Sequence, residues 1–277
     1  MVAFDSKTQL ANIAVVADET ARMTKAFRDW PEGYWQRPTY CPDWRAADAV
    51  AHLVTGNDFY AQAVVLGLGG SPILPWGVSD MAGFQAVRAA AVTKLLEGGA
   101  EALIAGFEES GARFQEVLAS LREEDLAKAA RHPVGLFPIG CWIGMRLNEL
   151  VIHDWDIRQP HETNAALSPT AIPAMLTVLP EMQKRFLERR LTDGLEGVHV
   201  FRAGDTSWAF AVQGNSVTYR SQAPETFDSC MSADVESLIL LSMGRSDVEA
   251  KKQGGALTLT GDTQKAQRLC ETLFQAF

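Results

Sequence analysis

The chain has 277 residues, of which 47% are apolar and 21% charged, and its formal net charge is −9. That length suits one large domain or two ordinary ones, and the composition is that of a protein that buries a core. The acidic balance argues against nucleic acid or an anionic membrane as the main partner, and the longest apolar runs fall well short of the roughly 18 residues a membrane span needs.

The first ten residues, "MVAFDSKTQL", carry Asp5 and Lys7 and lack the apolar run of a secretory signal, so a cytoplasmic protein is expected. Leu10, Ile13, Ala14, Val16, Ala17, Ala21, Met23 and Phe27 recur at helical spacing and predict an amphipathic helix over 7–29, ending near "DWPEG". "RPTYCPDW" reads as a loop broken by Pro38 and Pro42, with Asp43 expected to N-cap a helix over 44–66. "GLGGSPILPWG" is a long loop, and residues 81–120 carry one or two further helices. "PVGLFPIG" at 133–140 breaks the chain, and a helix over 142–157 follows, stopped by Pro160. The first 160 residues therefore read as all-helical, with about four main helices, which is the material of a bundle.

The pattern changes after "RQPHETNAALSPT", which reads as a linker. A helix is expected over 169–191. "GVHVFRA", "SWAFAVQ" and "SVTYRS" then alternate apolar and polar residues around "GD" and "GN" turns, a hairpin signal. "ADVESLILLSMG" reads as a helix, "ALTLTGD" as a strand, and "TQKAQRLCETLFQAF" as a terminal helix capped by Asp262 or Thr263. The second part is thus α+β, with a small, mostly antiparallel sheet. Cys41, Cys141, Cys230 and Cys270 form no C-x-x-C pair, which excludes a four-thiolate zinc site, and a disulfide framework does not suit this length. Cys41 reads as a structural thiol.

Chemistry is concentrated in "RLNELVIHDWD", residues 146–156. Glu149 and His153 are four apart, so on a helix they share a face at roughly 6 Å. Asp156 follows three residues later and could accept the second ring N–H of a metal-bound histidine. Far upstream, His52 sits among Val50, Leu53 and Val54 and faces a core or cleft. Two histidines and a carboxylate make an open ligand set, with a position left for water or substrate. Zinc suits it, and ligand type alone also admits Fe(II), Ni or Mn. E-x-x-x-H recurs by chance on helices and reads more readily as a polar stripe, and His52 alone reads as a satisfied core histidine. Only the three together, on two helices of one bundle, bring the metal reading level with that plainer one.

"CPDWRAADAVAHL" followed by "RLNELVIHDWDIR" resembles the mycothiol-dependent maleylpyruvate isomerase family, one of the DinB/YfiT-like metalloenzyme bundles. The family motif is a C-P-x-W turn, an A-H-L helix and then R-x-x-E-x-x-x-H-x-W-D. It falls here on Cys41, Pro42 and Trp44, on Ala51, His52 and Leu53, and on Arg146, Glu149, His153, Trp155 and Asp156. The ending "GGALTLTGDTQKAQRLCETLF" is similar to the sterol-carrier-like domain that often accompanies this bundle. The resemblance implies a DinB-like four-helix bundle over 1–162 and a sterol-carrier-like α+β domain over 163–277. It implies a metal triad of His52, Glu149 and His153, with Asp156 completing the catalytic set.

It further implies a divalent metal such as zinc, and mycothiol or a similar small thiol as cosubstrate. The metal-bound thiolate would serve S-transfer to a small electrophile or its cis–trans isomerisation. Arg146 and Arg158 flank the motif and could hold a carboxylate, and Arg220 could bind an anion in the sheet domain. Arg158 reads alternatively as a helix C-terminal charge, and Arg220 as a surface strand residue. Two other readings compete: a metal-dependent hydrolase or lyase using bound hydroxide, and a non-enzymatic carrier of a hydrophobic ligand. A monomer or small homo-oligomer is expected, without nucleic-acid or membrane partners.

Overall fold

The computed structural model describes residues 5–190 and 194–274. Its contacts form two compact units, divided between Ala174 and Met175. The first unit contains helices α1 (Ser6–Asp29), α2 (Ala46–Leu68), α3 (Met81–Glu97) and α4 (Gly99–Ala119). A hairpin of β1 (Ala129–His132) and β2 (Gly135–Pro138) follows, then helix α5 (Ile139–Arg158). Helices α1, α2, α4 and α5 make the bundle: α1 and α2 each pack on both α4 and α5, and α3 lies against α2 and α4. Asp5 caps α1 by accepting from the Thr8 main-chain N, and Val16, Met23 and Phe27 line its buried face. Phe27 meets Phe107 of α4 edge to face at 5.1 Å. Helix α5 is enclosed on all sides. Every residue from Ile139 to Ile157 is buried except Glu149.

Two details differ from the expectations, and a third narrows one. Helix α2 starts at Ala46 because Asp43, with φ 65, sits in the left-handed region and cannot take the extended geometry of an N-cap. Arg45 holds that position, and Asp48 accepts from both its main-chain N (2.9 Å) and its Nε (2.8 Å). The stretch 81–120 is two helices, parted at Gly98 and Gly99, the latter with φ 69. The break at 133–140 is part of the β1–β2 hairpin, in which His132 faces Gly135 across the turn. This hairpin packs on α2, and Gly67 makes room for it: a Cβ there would lie 2.6 Å from the Ala129 carbonyl oxygen.

The segment expected to be a linker is tied to the bundle. Trp155 Nε1 donates to Ala165 O at 2.9 Å, and Arg158 Nη2 to Ala166 O at 2.8 Å. Ser168 and Thr170 hydroxyls both donate to the buried Glu19 carboxylate, and Leu167 is buried.

From α6 (Ile172–Arg189) onward the chain builds the second unit, the division falling in that helix's first turn. The further elements are β3 (Gly197–Ala203), β4 (Thr206–Gln213), β5 (Ser216–Arg220), β6 (Ser229–Ala233), α7 (Val235–Ser242), α8 (Val248–Gln253), β7 (Leu257–Gly261) and α9 (Thr263–Leu273). The sheet order is β5-β4-β3-β6-β7, with β3 and β6 parallel and every other pair antiparallel. One face carries Phe201 stacked on Trp208 at 5.6 Å, and Trp208 Nε1 donates to Gln183 of α6. Asp262 caps α9, accepting from the main-chain N of Gln264 and Lys265. Strand β6, "SCMSA", lacks the apolar–polar alternation that marks a strand in sequence. The expected helix end at Leu191 and the last three residues of the terminal helix lie outside the described residues. Among the described residues no helix is long and apolar enough to cross a membrane.

The glycine packing is testable. Gly67→Ala should destabilise the protein by about 1–3 kcal/mol, since the added carbon meets backbone that cannot move aside. Gly33→Ala, where nothing lies within 4 Å of the added carbon, should stay within about 0.5 kcal/mol. Denaturant titrations of both variants check the pair.

Candidate metal centre

His52 sits in the second turn of α2, which packs on α5. Helical spacing on α5 puts Glu149 and His153 on the stripe that meets it. His52 Nε2 lies 3.0 Å from Glu149 Oε2, and His153 Nε2 lies 3.8 Å from that same oxygen. One donor atom from each residue falls within 4.8 Å of the other two. The two imidazole rings are 4.7 Å apart at 66°. Between Ile139 and Ile157 of α5, Glu149 is the single opening, its side chain 37% exposed, while His52 and His153 are 20% and 10% exposed.

The protonation states suit cation binding. Burial is the largest influence on His52 and pushes its pKa down to about 4, assisted by the charges of His153 and Arg88 and opposed by Glu149. Its imidazole is therefore neutral near pH 7, with a lone pair to offer. Burial works against the Glu149 carboxylate, but the hydrogen bond with His52, the two imidazole rings beside it and the Arg146 guanidinium outweigh it. The carboxyl is held well below its usual range and is ionised. Two imidazole nitrogens, that of His52 neutral, and one anionic oxygen fit a borderline divalent ion.

Around these three stands an ordered surround. His153 Nδ1 lies 2.9 Å from Asp156 Oδ2, and Asp156 is fully buried. Trp44 covers the pair of rings, 5.6 Å from His153 at a near-parallel 28° and 4.9 Å from His52. Arg88 of α3 places Nη2 3.2 Å from both ring nitrogens of His52 and donates Nε to Thr55 Oγ1. Nothing in the sequence singled out Arg88: it is one cation in the Ala-rich run "FQAVRAAAV", with no motif around it, and only the packing of α3 on α2 delivers it to the site.

The other arginines are distributed differently. Arg146 is completely buried beneath the triad, donates Nη2 to Leu53 O at 2.9 Å, and lies over the Tyr60 ring. Burial pulls its pKa down to about 10. Its Nε and Nη1 have no hydrogen-bond partner among the described residues, and Nη1 would be 2.7 Å from a Cβ placed on Gly56. Arg158 is engaged by Asp154, Glu162 and the Ala166 carbonyl, in a cluster that includes Arg22. Arg220 is exposed on β5 of the second unit, opposite Ala209 in the sheet.

Comparison with known proteins places this geometry in context. The family model for the mycothiol maleylpyruvate isomerase N-terminal domain matches residues 16–158, just over half of the chain. Two crystal structures of mycothiol-dependent maleylpyruvate isomerase, one of them a histidine-to-alanine mutant, superpose with a TM-score of 0.60 each. They are 14% and 13% identical to this chain, and each match covers 94% of this chain and 96% of theirs. At that identity they establish a shared fold. Sterol carrier protein 2 from Yarrowia lipolytica matches 35% of this chain and 91% of its own at 12% identity, with a TM-score of 0.30. No curated relative matches by sequence.

The depressed pKa of His52 has a sign that can be measured. In the unfolded chain the imidazole takes its proton near pH 6.5, but in the fold only near pH 4. Between those values the unfolded state binds more protons, so stability of the metal-free protein falls as pH drops from 6.5 to 4. The loss should reach up to about 1.4 kcal/mol per pH unit. His52→Asn, which cannot titrate, should flatten this part of a melting-temperature profile against pH.

Proposed function

The chain belongs to the mycothiol maleylpyruvate isomerase N-terminal-domain family, and on that footing we propose that it is a thiol-dependent isomerase whose reaction centres on His52, Glu149 and His153. The observation that carries this is the donor set itself: two imidazoles and an ionised carboxylate converge at the one opening between Ile139 and Ile157 of an otherwise enclosed helix. A divalent cation held by these three, zinc being best suited by donor type, would favour the thiolate form of an incoming small thiol such as mycothiol.

The surrounding residues then take definite parts. His52 supplies a neutral nitrogen without first losing a proton, because burial keeps it unprotonated, and His153 supplies the second ring nitrogen. Glu149 supplies negative charge and stays ionised at any working pH. Asp156 accepts the His153 Nδ1 proton and so fixes which nitrogen is left to coordinate. Arg88 presents a guanidinium beside His52, suited to the carboxylate of an electrophilic substrate. That makes Arg88 a better carboxylate partner than Arg158, whose guanidinium is already occupied by two carboxylates. Trp44 shields the rings from water.

The chemistry is an addition and its reversal. The thiolate sulfur adds to one carbon of a cis double bond conjugated to a carbonyl, and the electron pair moves to the carbonyl oxygen. The former double bond is now single and rotates. Expulsion of the thiolate restores the double bond in the trans form and returns the thiol unchanged. Retention of the sulfur on the substrate would give S-transfer instead, and the family favours isomerisation.

Metal analysis of the purified protein, paired with turnover of maleylpyruvate, tests the proposal. We expect stoichiometric divalent metal and activity that requires added mycothiol. His52→Ala, Glu149→Gln or His153→Ala should lower turnover by more than about 100-fold, beyond what outer residues of a metal site contribute. Metal-loaded protein whose turnover ignores added thiol would overturn the thiol mechanism. Protein that neither holds metal nor responds to His52→Ala would overturn the site.

A further inference from the structure

The turn from Thr39 to Trp44 grips Asp156 at two points. Tyr40 main-chain N donates to the Asp156 main-chain oxygen at 2.8 Å, one of the carbonyls that the end of α5 leaves without an intrahelical partner. Cys41 Sγ donates to Asp156 Oδ2 at 3.2 Å. That same oxygen accepts from His153 Nδ1 at 2.9 Å. The turn is itself braced. Thr39 N donates to Trp44 O (2.9 Å), Thr39 Oγ1 to the same oxygen (3.1 Å), and Cys41 N to Thr39 Oγ1 (3.2 Å). Asp43 is held at φ 65, an uncommon conformation for a residue with a side chain, and this turns Trp44 over the His153 ring.

We propose that this turn is a positioning clamp for His153: the Cys41 thiol fixes the Asp156 carboxylate, and Asp156 fixes the imidazole so that Nε2 is left towards Glu149. The inference rests on the metal site proposed above. In it Cys41 is neither nucleophile nor ligand, because its proton is committed to a buried carboxylate. A carboxylate with two donors on one oxygen has its rotation restricted, and a histidine held by such a carboxylate loses less freedom when it coordinates.

The test compares the wild type, Cys41→Ser, Cys41→Ala, Cys41→Val, Asp156→Asn and the Cys41→Ala/Asp156→Asn double variant. The first readout is the zinc dissociation constant by competition with a chelator. The second is the 15N shift of His153 Nδ1 in metal-free protein. Asp156→Asn should weaken zinc by about 10–100-fold, and Cys41→Ala or Cys41→Val by a smaller factor of about 3–10. Cys41→Ser, which keeps a donor, should stay within about 2-fold of wild type, since a hydroxyl makes the stronger bond. On the Asp156→Asn background, Cys41→Ala should change nothing further. The 15N shift should move in Cys41→Ala and Cys41→Val and recover in Cys41→Ser.

Wild-type zinc affinity in both donor-free variants would overturn the clamp, as would the same weakening with and without the Asp156 carboxylate. A thiolate-to-cobalt charge-transfer band in cobalt-loaded protein, absent from Cys41→Ser, would make Cys41 a ligand and also overturn it. If the wild type binds no metal, the proposed metal site fails, while the 15N shift of the metal-free protein still decides the clamp.

Discussion

Complete burial of α5 is the constraint from which the rest of the site follows. A helix enclosed by its neighbours must satisfy every polar group it carries from inside the protein. Helix α5 nevertheless buries Arg146, Asn148, His153, Asp154 and Asp156 along with its apolar residues. Such a load is tolerated where charges are paired and hydrogen bonds are made. Asp154 meets Arg22 and Arg158, Asp156 meets His153 and Cys41, and Arg146 bonds to the Leu53 carbonyl through Nη2, while its Nε and Nη1 are left without a hydrogen-bond partner among the described residues. Between Ile139 and Ile157 only Glu149 opens outward, and it is there that His52 and His153 meet it.

Electrostatics then sort the groups by role. Burial favours the neutral form of His52, while the same surroundings concentrate positive charge near Glu149 and keep it anionic. Arg146 and Arg88 approach from below and beside, each shifted downward chiefly by burial. Cations crowded this close repel one another, and what offsets the repulsion is the Glu149 carboxylate at their centre. Gly56 belongs to the same arrangement, since a side chain there would displace the Arg146 guanidinium.

Periodicity made the bundle helices legible, because apolar residues such as Val16, Met23 and Phe27 repeat at the spacing a helix imposes. Alternation around "GD" and "GN" did the same for β3, β4 and β5. What escaped were elements whose residues obey a tertiary rule in place of a local one. "AARHPVGLFP" contains two prolines and reads as a break, yet it pairs as a hairpin because α2 offers it a surface beside Gly67. "SCMSA" has no alternation, since β6 lies inside the sheet between β3 and β7. Asp43 has the side chain of a cap, but the bonds between Thr39 and Trp44 hold its backbone in the left-handed region.

The sequence by itself determined the bundle-then-sheet order, the shared face of Glu149 and His153, and the kind of chemistry that two histidines and a carboxylate can support. Helical geometry makes residues four apart neighbours whatever surrounds them, so that half of the site was readable directly. Only the tertiary structure decided that His52 meets Glu149 at 3.0 Å and that Arg88 stands beside it. These partners lie tens of residues apart, and no local spacing encodes which helix packs on which. Cys41 marks the boundary most sharply. In the sequence it is a half-explained thiol in a proline turn, and in the fold it is 3.2 Å from a carboxylate 115 residues away that holds a histidine of the site.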